Sequence, residues 1–204
     1  MGYKDWGCWN LVQDFFTKQH FGFLKYNVSH NGGTIQNPID FNDLDAFRKN
    51  SYPKELFDLN AILQLVQRQF EELPKIYLIG QSRGGGIALL QSTNPQITRI
   101  ATWAGISHIK ERFPLGERLE KWKQNGVYFH ENGRTKQQMP HDYSQYEEFL
   151  KNEEKLDIEF YCKQSTIPTI VIHGNEDTSV SIKEGEAIAN WLNVDLNIIK
   201  GANH

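Results

Sequence analysis

The chain has 204 residues, 39% of them hydrophobic, which suits one domain, residues 1–204, with a single substantial core. A formal charge of -3, with the lysines scattered among acids, supplies no basic field for nucleic acid, so no nucleic-acid partner is expected. No run approaches the roughly eighteen apolar residues of a membrane span, and the opening residues Met1 to Trp6 do not resemble a signal peptide. A soluble, cytoplasmic protein is therefore expected. Cys8 and Cys162 have neither metal-ligand spacing nor the density of a disulfide scaffold, and both read as reduced and structural.

The elements begin with a helix over 6–17, where Trp6, Trp9, Leu11, Val12, Phe15 and Phe16 form one apolar face, followed by a strand over 21–28. A polar loop, 29–34, and an irregular stretch, 41–52, come next. Pro53 suits a helix start, and Leu56, Leu59, Ile62, Leu63, Val66 and Phe70 recur at three and four, giving an amphipathic helix that stops before Pro74. Residues 76–90 then read as strand, sharp turn and helix, and 97–103 as a buried strand. Strands alternating with helices argue for an α/β architecture with a mostly parallel sheet flanked by helices.

Residues 107–164 break that rhythm. They are rich in charge and aromatics, show no convincing strand, and read as a mostly helical lid insertion. Residues 169–173 resume the sheet, 182–192 form a helix and 195–199 one more strand.

Gly80-Gln81-Ser82-Arg83-Gly84 fits the G-x-S-x-G nucleophile elbow, in which a serine sits on a strained strand-to-helix turn with its hydroxyl exposed above the sheet. The bare pattern turns up in about one random chain of this length in fifteen, so the flanking strand and helix carry the assignment. The competing reading is an ordinary glycine-rich turn. A phosphate loop is disfavoured, since no G-K-[ST] ending follows.

A serine nucleophile needs a base, and the base a carboxylate to fix its tautomer. In parallel sheets such groups stand at the carboxyl ends of strands. The strand ending near His173 leads to Asp177, the favoured acid; Glu176 is the alternative, and either could merely cap the following helix. The last strand leads to His204, the base, giving the order Ser82, Asp177, His204. His30 is a reserve base, His173 reads as a structural turn residue, and His20, His108, His130 and His141 as surface or lid residues. No histidine pair has the spacing of a helical metal site, so no metal is expected. Tyr26, His30 and Trp103 are candidates to line the crevice.

On the elbow, on the 173–180 segment His-Gly-Asn-Glu-Asp-Thr-Ser-Val, and on the Gly201-Ala202-Asn203-His204 ending, the chain resembles the α/β-hydrolases, in particular the dienelactone-hydrolase-like and serine-aminopeptidase-like esterases. Residues 133–140 resemble part of the lid of one subgroup. The resemblance implies hydrolysis of a carboxylic ester or related acyl bond of a small-molecule substrate, without a cofactor, with the Arg83 N–H in the oxyanion hole. A thioesterase or peptidase with the same triad, or a noncatalytic binding module on the same fold, are the alternatives. The family's first strands, its His-Gly oxyanion loop and its last helix have no counterpart, so the chain is expected to be a fragment of a longer protein. Loss of one oxyanion donor typically costs about a hundredfold to a thousandfold, which implies weak or no activity. Nothing in the sequence fixes the oligomeric state.

Overall fold

A computed structural model describes residues 3–37, 40–70, 75–133 and 135–204. In chain order the elements are α1 (Trp9–Lys18), α2 (Leu44–Arg48), α3 (Tyr52–Gln69), β1 (Ile76–Gln81), α4 (Arg83–Leu89), β2 (Ile97–Trp103), α5 (Glu117–Asn125), β3 (Val127–Glu131), β4 (Gln138–Asp142), α6 (Ser144–Lys151), α7 (Ile158–Lys163), β5 (Thr169–Gly174), α8 (Ile182–Leu192) and β6 (Leu196–Ile199). They fall into two compact units, one of residues 1–61 with 116–148 and one of 62–115 with 149–204.

The second unit holds the sheet, ordered β1-β2-β5-β6 with every pairing parallel. Helices α4 and α8 pack on it and α7 packs against both of them, as parallel strands require when their connections cross over as helices. The pleat sorts the residues of β5: Val171 is 1% exposed and Ile170 54%. Leu89, Ile100, Ile158 and Ile188 complete this core. Residues 149–164 belong to this unit, with Leu156, Ile158 and Cys162 buried.

In the first unit, Phe41, Phe47 and Met139 form a core cluster. Trp122 is buried, its indole N–H donating to the His141 carbonyl at 2.9 Å, with the Tyr128 and Tyr143 rings edge-on to it. Asp43 caps α2 by accepting from the Ala46 amide at 2.9 Å, so the stretch expected to be irregular contains a short helix.

Two further expectations are corrected. Residues 107–164 do contain strands: β3 and β4 form an antiparallel hairpin in register Val127 to Asp142 through Glu131 to Gln138. Pro140 stands inside β4, which a two-stranded ribbon tolerates because the strand's other edge needs no partner. Residues 21–28 form no regular element and join no sheet; a strand is defined by the neighbour it bonds, and none is present among the described residues. The expected helix stop before Pro74 and Arg134 of the 133–140 segment lie outside the described residues.

Candidate active site

β1 delivers its apolar run into the sheet and ends at Gln81; the next residue, Ser82, has φ 53° and ψ -122°. A positive φ on a residue with a Cβ is strained and persists only where the surroundings hold it. Here the Ser82 amide donates to the Trp103 carbonyl at 2.9 Å. Its carbonyl accepts from the amides of Gly85 (3.0 Å), Ile106 (3.2 Å) and Gly86 (3.3 Å). Gly80 is required by the same turn, since a Cβ there would stand 2.3 Å from the Gly84 carbonyl oxygen. Arg83 is the first residue of α4.

β5 ends at Gly174 and feeds the loop that carries Asp177, whose side chain is fully buried. Its Oδ1 accepts from the amides of Ser179 and Val180, both at 2.8 Å, and its Oδ2 lies 2.8 Å from His204 Nδ1. Burial pushes the carboxyl pKa up, but the Val180 amide, the His204 ring and the Ser179 amide outweigh it and hold Asp177 below its ordinary value. Because Nδ1 faces a carboxylate it carries a proton, which leaves His204 Nε2 as the acceptor.

The loops after β5 and β6 are laced together. The Asn175 amide donates to the Ile199 carbonyl (3.2 Å), the Glu176 amide to the Ala202 carbonyl (3.0 Å), and the Gly201 amide to Asn175 Oδ1 (2.7 Å). Asn203 Oδ1 accepts from the Thr178 amide at 3.1 Å. Glu176 is exposed, and it is Asp177 that meets His204.

Ser82, Asp177 and His204 thus all follow the C-terminal ends of parallel strands, β1, β5 and β6. Among the described residues Asp177 and His204 are joined directly, and no hydrogen bond runs from the Ser82 hydroxyl to His204. Such bonds are often long before substrate is bound.

The reserve base His30 belongs to the first unit, its Nδ1 2.8 Å from Ser29 Oγ. Tyr26, in the same unit, has its hydroxyl pKa raised by burial and then by Glu55 and Asp58. Trp103 closes β2 beside the elbow. Among the described residues no group of three or more His, Cys, Asp or Glu is placed to hold a metal ion.

Sequence reasoning missed a buried acid on α8, Glu184, which accepts from the Ser107 amide (2.9 Å) and pairs with Arg112 (2.6 Å), tying the loop after β2 to that helix. A charged residue on the otherwise apolar inward face of the helix was the only available signal.

Neither a protein-family model nor a curated protein matches the sequence. Solved structures do match. A monoacylglycerol lipase from Paleococcus ferrophilus is similar with a TM-score of 0.69 at 13% identity, over 98% of this chain and 81% of that one. The metagenome-derived lipolytic enzymes LipS and LipT give 0.68 at 12%, over 96% and 78%. Est1E from Butyrivibrio proteoclasticus gives 0.59 at 16%, over 76% and 63%. The chain has the α/β-hydrolase fold. It spans 63% of the length of Est1E, less than two thirds of that protein. In α/β-hydrolases the nucleophile, acid and base come in the order Ser, Asp or Glu, His, the order in which the candidates Ser82, Asp177 and His204 stand. Among the described residues, no helix is long and apolar enough to cross a membrane.

Proposed function

We propose that the chain is a serine hydrolase that cleaves a carboxylic ester or related acyl bond of a small molecule, with residues 1–204 acting as one hydrolase domain. The observation that carries this reading is the buried Asp177 carboxylate bonded at 2.8 Å to the imidazole of His204. The strained Ser82 at the end of β1 is the matching nucleophile.

In the proposed reaction His204 Nε2 takes the Ser82 proton as Oγ attacks the acyl carbon. Asp177 holds the ring in the Nδ1–H tautomer and stabilises the imidazolium that forms. The Arg83 backbone N–H, next after the nucleophile, donates to the developing oxyanion. His204 then returns the proton to the leaving oxygen, and water enters by the same base to release the acid and free Ser82. The esterase and lipase neighbours support an ester as the bond cleaved.

The test is treatment of the purified chain and of its Ser82→Ala variant with a fluorophosphonate probe, with the labelled residue mapped by mass spectrometry, followed by a panel of esters, thioesters and aminoacyl substrates. Labelling of Ser82 with ester turnover supports the reading. A chain that no acylating probe labels at Ser82 belongs to a noncatalytic binding module.

A further inference from the structure

We propose that His173 is a positioning residue for Asp177: it holds the 177–180 turn so that one carboxylate oxygen serves the turn and the other is left for His204. The inference rests on the reading of Asp177 and His204 as acid and base.

His173 stands next to last in β5 with its side chain fully buried. Its Nε2 lies 2.9 Å from the Val180 carbonyl oxygen, and because a carbonyl only accepts, Nε2 carries the proton. The same nitrogen is 3.6 Å from Asp177 Oδ2, too far to compete with His204 for that oxygen. Nδ1 is buried with no hydrogen-bond partner. Packing alone does not account for such a residue, since leucine would fill much the same space without leaving an unpaired buried nitrogen. The bond made by Nε2 does account for it.

That bond closes a circuit. Asp177 Oδ1 gathers the amides of Ser179 and Val180, and His173 holds the carbonyl of the same Val180. Helix α8 leaves the ring one place to sit: a Cβ on Gly185 would come within 2.6 Å of Nδ1. Without the Nε2–H donor the Val180 carbonyl loses its partner and the turn is free to shift. The Ser179 and Val180 amides then leave Oδ1, and Asp177 turns away from Nδ1 of His204. The titratable groups joined to this arrangement are Asp177 and His204 from the two loops.

The experiment compares His173→Gln, His173→Asn and His173→Leu with the parent in the full 204-residue chain. The Nε2 of glutamine is as many bonds from the backbone as the Nε2 of histidine; the amide of asparagine is one bond too short. Three quantities are measured: amide hydrogen exchange at Ser179 and Val180, the ring 15N chemical shifts of His204, which report the nitrogen that carries the proton, and the rate of fluorophosphonate labelling at Ser82. The expected result is loss of protection at those two amides in the Leu and Asn variants, with α8 unaffected. The Nδ1–H tautomer of His204 loses its share as the carboxylate recedes, and labelling slows by about tenfold to a hundredfold, as a misplacement on the order of 1 Å produces. The Gln variant retains most of each. A Leu variant with a lower Tm but unchanged turn exchange and His204 tautomer overturns the proposal, as does a Gln variant no better than Asn. The Gln–Asn comparison decides alone if the Leu variant does not fold. If the parent is not labelled at Ser82, the hydrolase reading falls, while turn exchange and the His204 tautomer still decide the role of His173.

Discussion

Replacing Asp177 by asparagine keeps the shape of the side chain and removes one acceptor. The carboxylate serves three donors with two oxygens: Oδ1 takes the Ser179 and Val180 amides and Oδ2 takes His204 Nδ1, all at 2.8 Å. An asparagine whose oxygen stays with the two amides turns its NH2 toward His204. Nδ1 must then accept, the ring is driven to the Nε2–H tautomer, and it can no longer take the Ser82 proton. A wrong tautomer of this kind costs about ten-thousandfold in rate, which is roughly 5.5 kcal/mol of transition-state stabilisation. Stability falls by only about 1–3 kcal/mol, because the turn keeps its amide bonds and loses a charge-assisted contact to a ring that is 26% exposed. The assay is the time course of fluorophosphonate labelling at Ser82 in the parent, Asp177→Asn and Glu176→Gln, with thermal melts alongside. Glu176→Gln should label at the parent rate, because Glu176 contributes its backbone amide rather than its exposed side chain. Labelling of Asp177→Asn within tenfold of the parent, or an equal loss in Glu176→Gln, refutes the assignment.

Other consequences follow from the same geometry. Asp177 has a lowered pKa when folded, so its stabilisation is complete above the ordinary carboxylate range and is lost as pH falls through the folded-state value. Melting curves of parent and Asp177→Asn should therefore converge toward acid pH, and a constant gap from neutral to acid pH would contradict this. On β5, Val171→Ala should cost about 2 kcal/mol and Ile170→Ala less than about 1 kcal/mol, since Val171 is 1% exposed and Ile170 54%. Equal losses in chemical denaturation would show the strand in another register. Of the two free thiols, exposed Cys8 should react at once with a disulfide reagent. Cys162, whose thiol burial pushes up to about 12, should react only on unfolding. Two rapid equivalents in the folded protein would count against the buried placement.

The strands of the sheet were legible because each announces itself locally. Ile76 to Ile79, Ile97 to Trp103 and Thr169 to Ile172 are short apolar runs ended by turn residues, and in a parallel sheet such runs have few other uses. Residues 21–28 carry the same β-forming composition, yet a strand also needs a bonded neighbour, and that is not a property of the segment. The hairpin β3–β4 failed in the other direction. Its Asn132-Gly133 pair is a turn signal between two five-residue runs, but Pro140 and the polar His130, Glu131, Gln138 and Asp142 mask the alternation.

The candidate site divides along a similar line. Ser82, Asp177 and His204 are far apart in sequence, and what suggests them together is the rule that reactive groups of a parallel sheet follow its strand ends; of the three, Asp177 and His204 meet because β5 and β6 are neighbours. His173 offered no such signal. A histidine four residues before an aspartate means a shared face only on a helix, and here the stretch is a strand end followed by a loop. What gives His173 its part is the backbone carbonyl of Val180, an atom every residue has. Side-chain chemistry placed by topology can be read from a sequence, whereas side-chain chemistry that acts through main-chain atoms requires the turn itself. In the proposed mechanism, His173, which readies Asp177 for His204, belongs to the second kind.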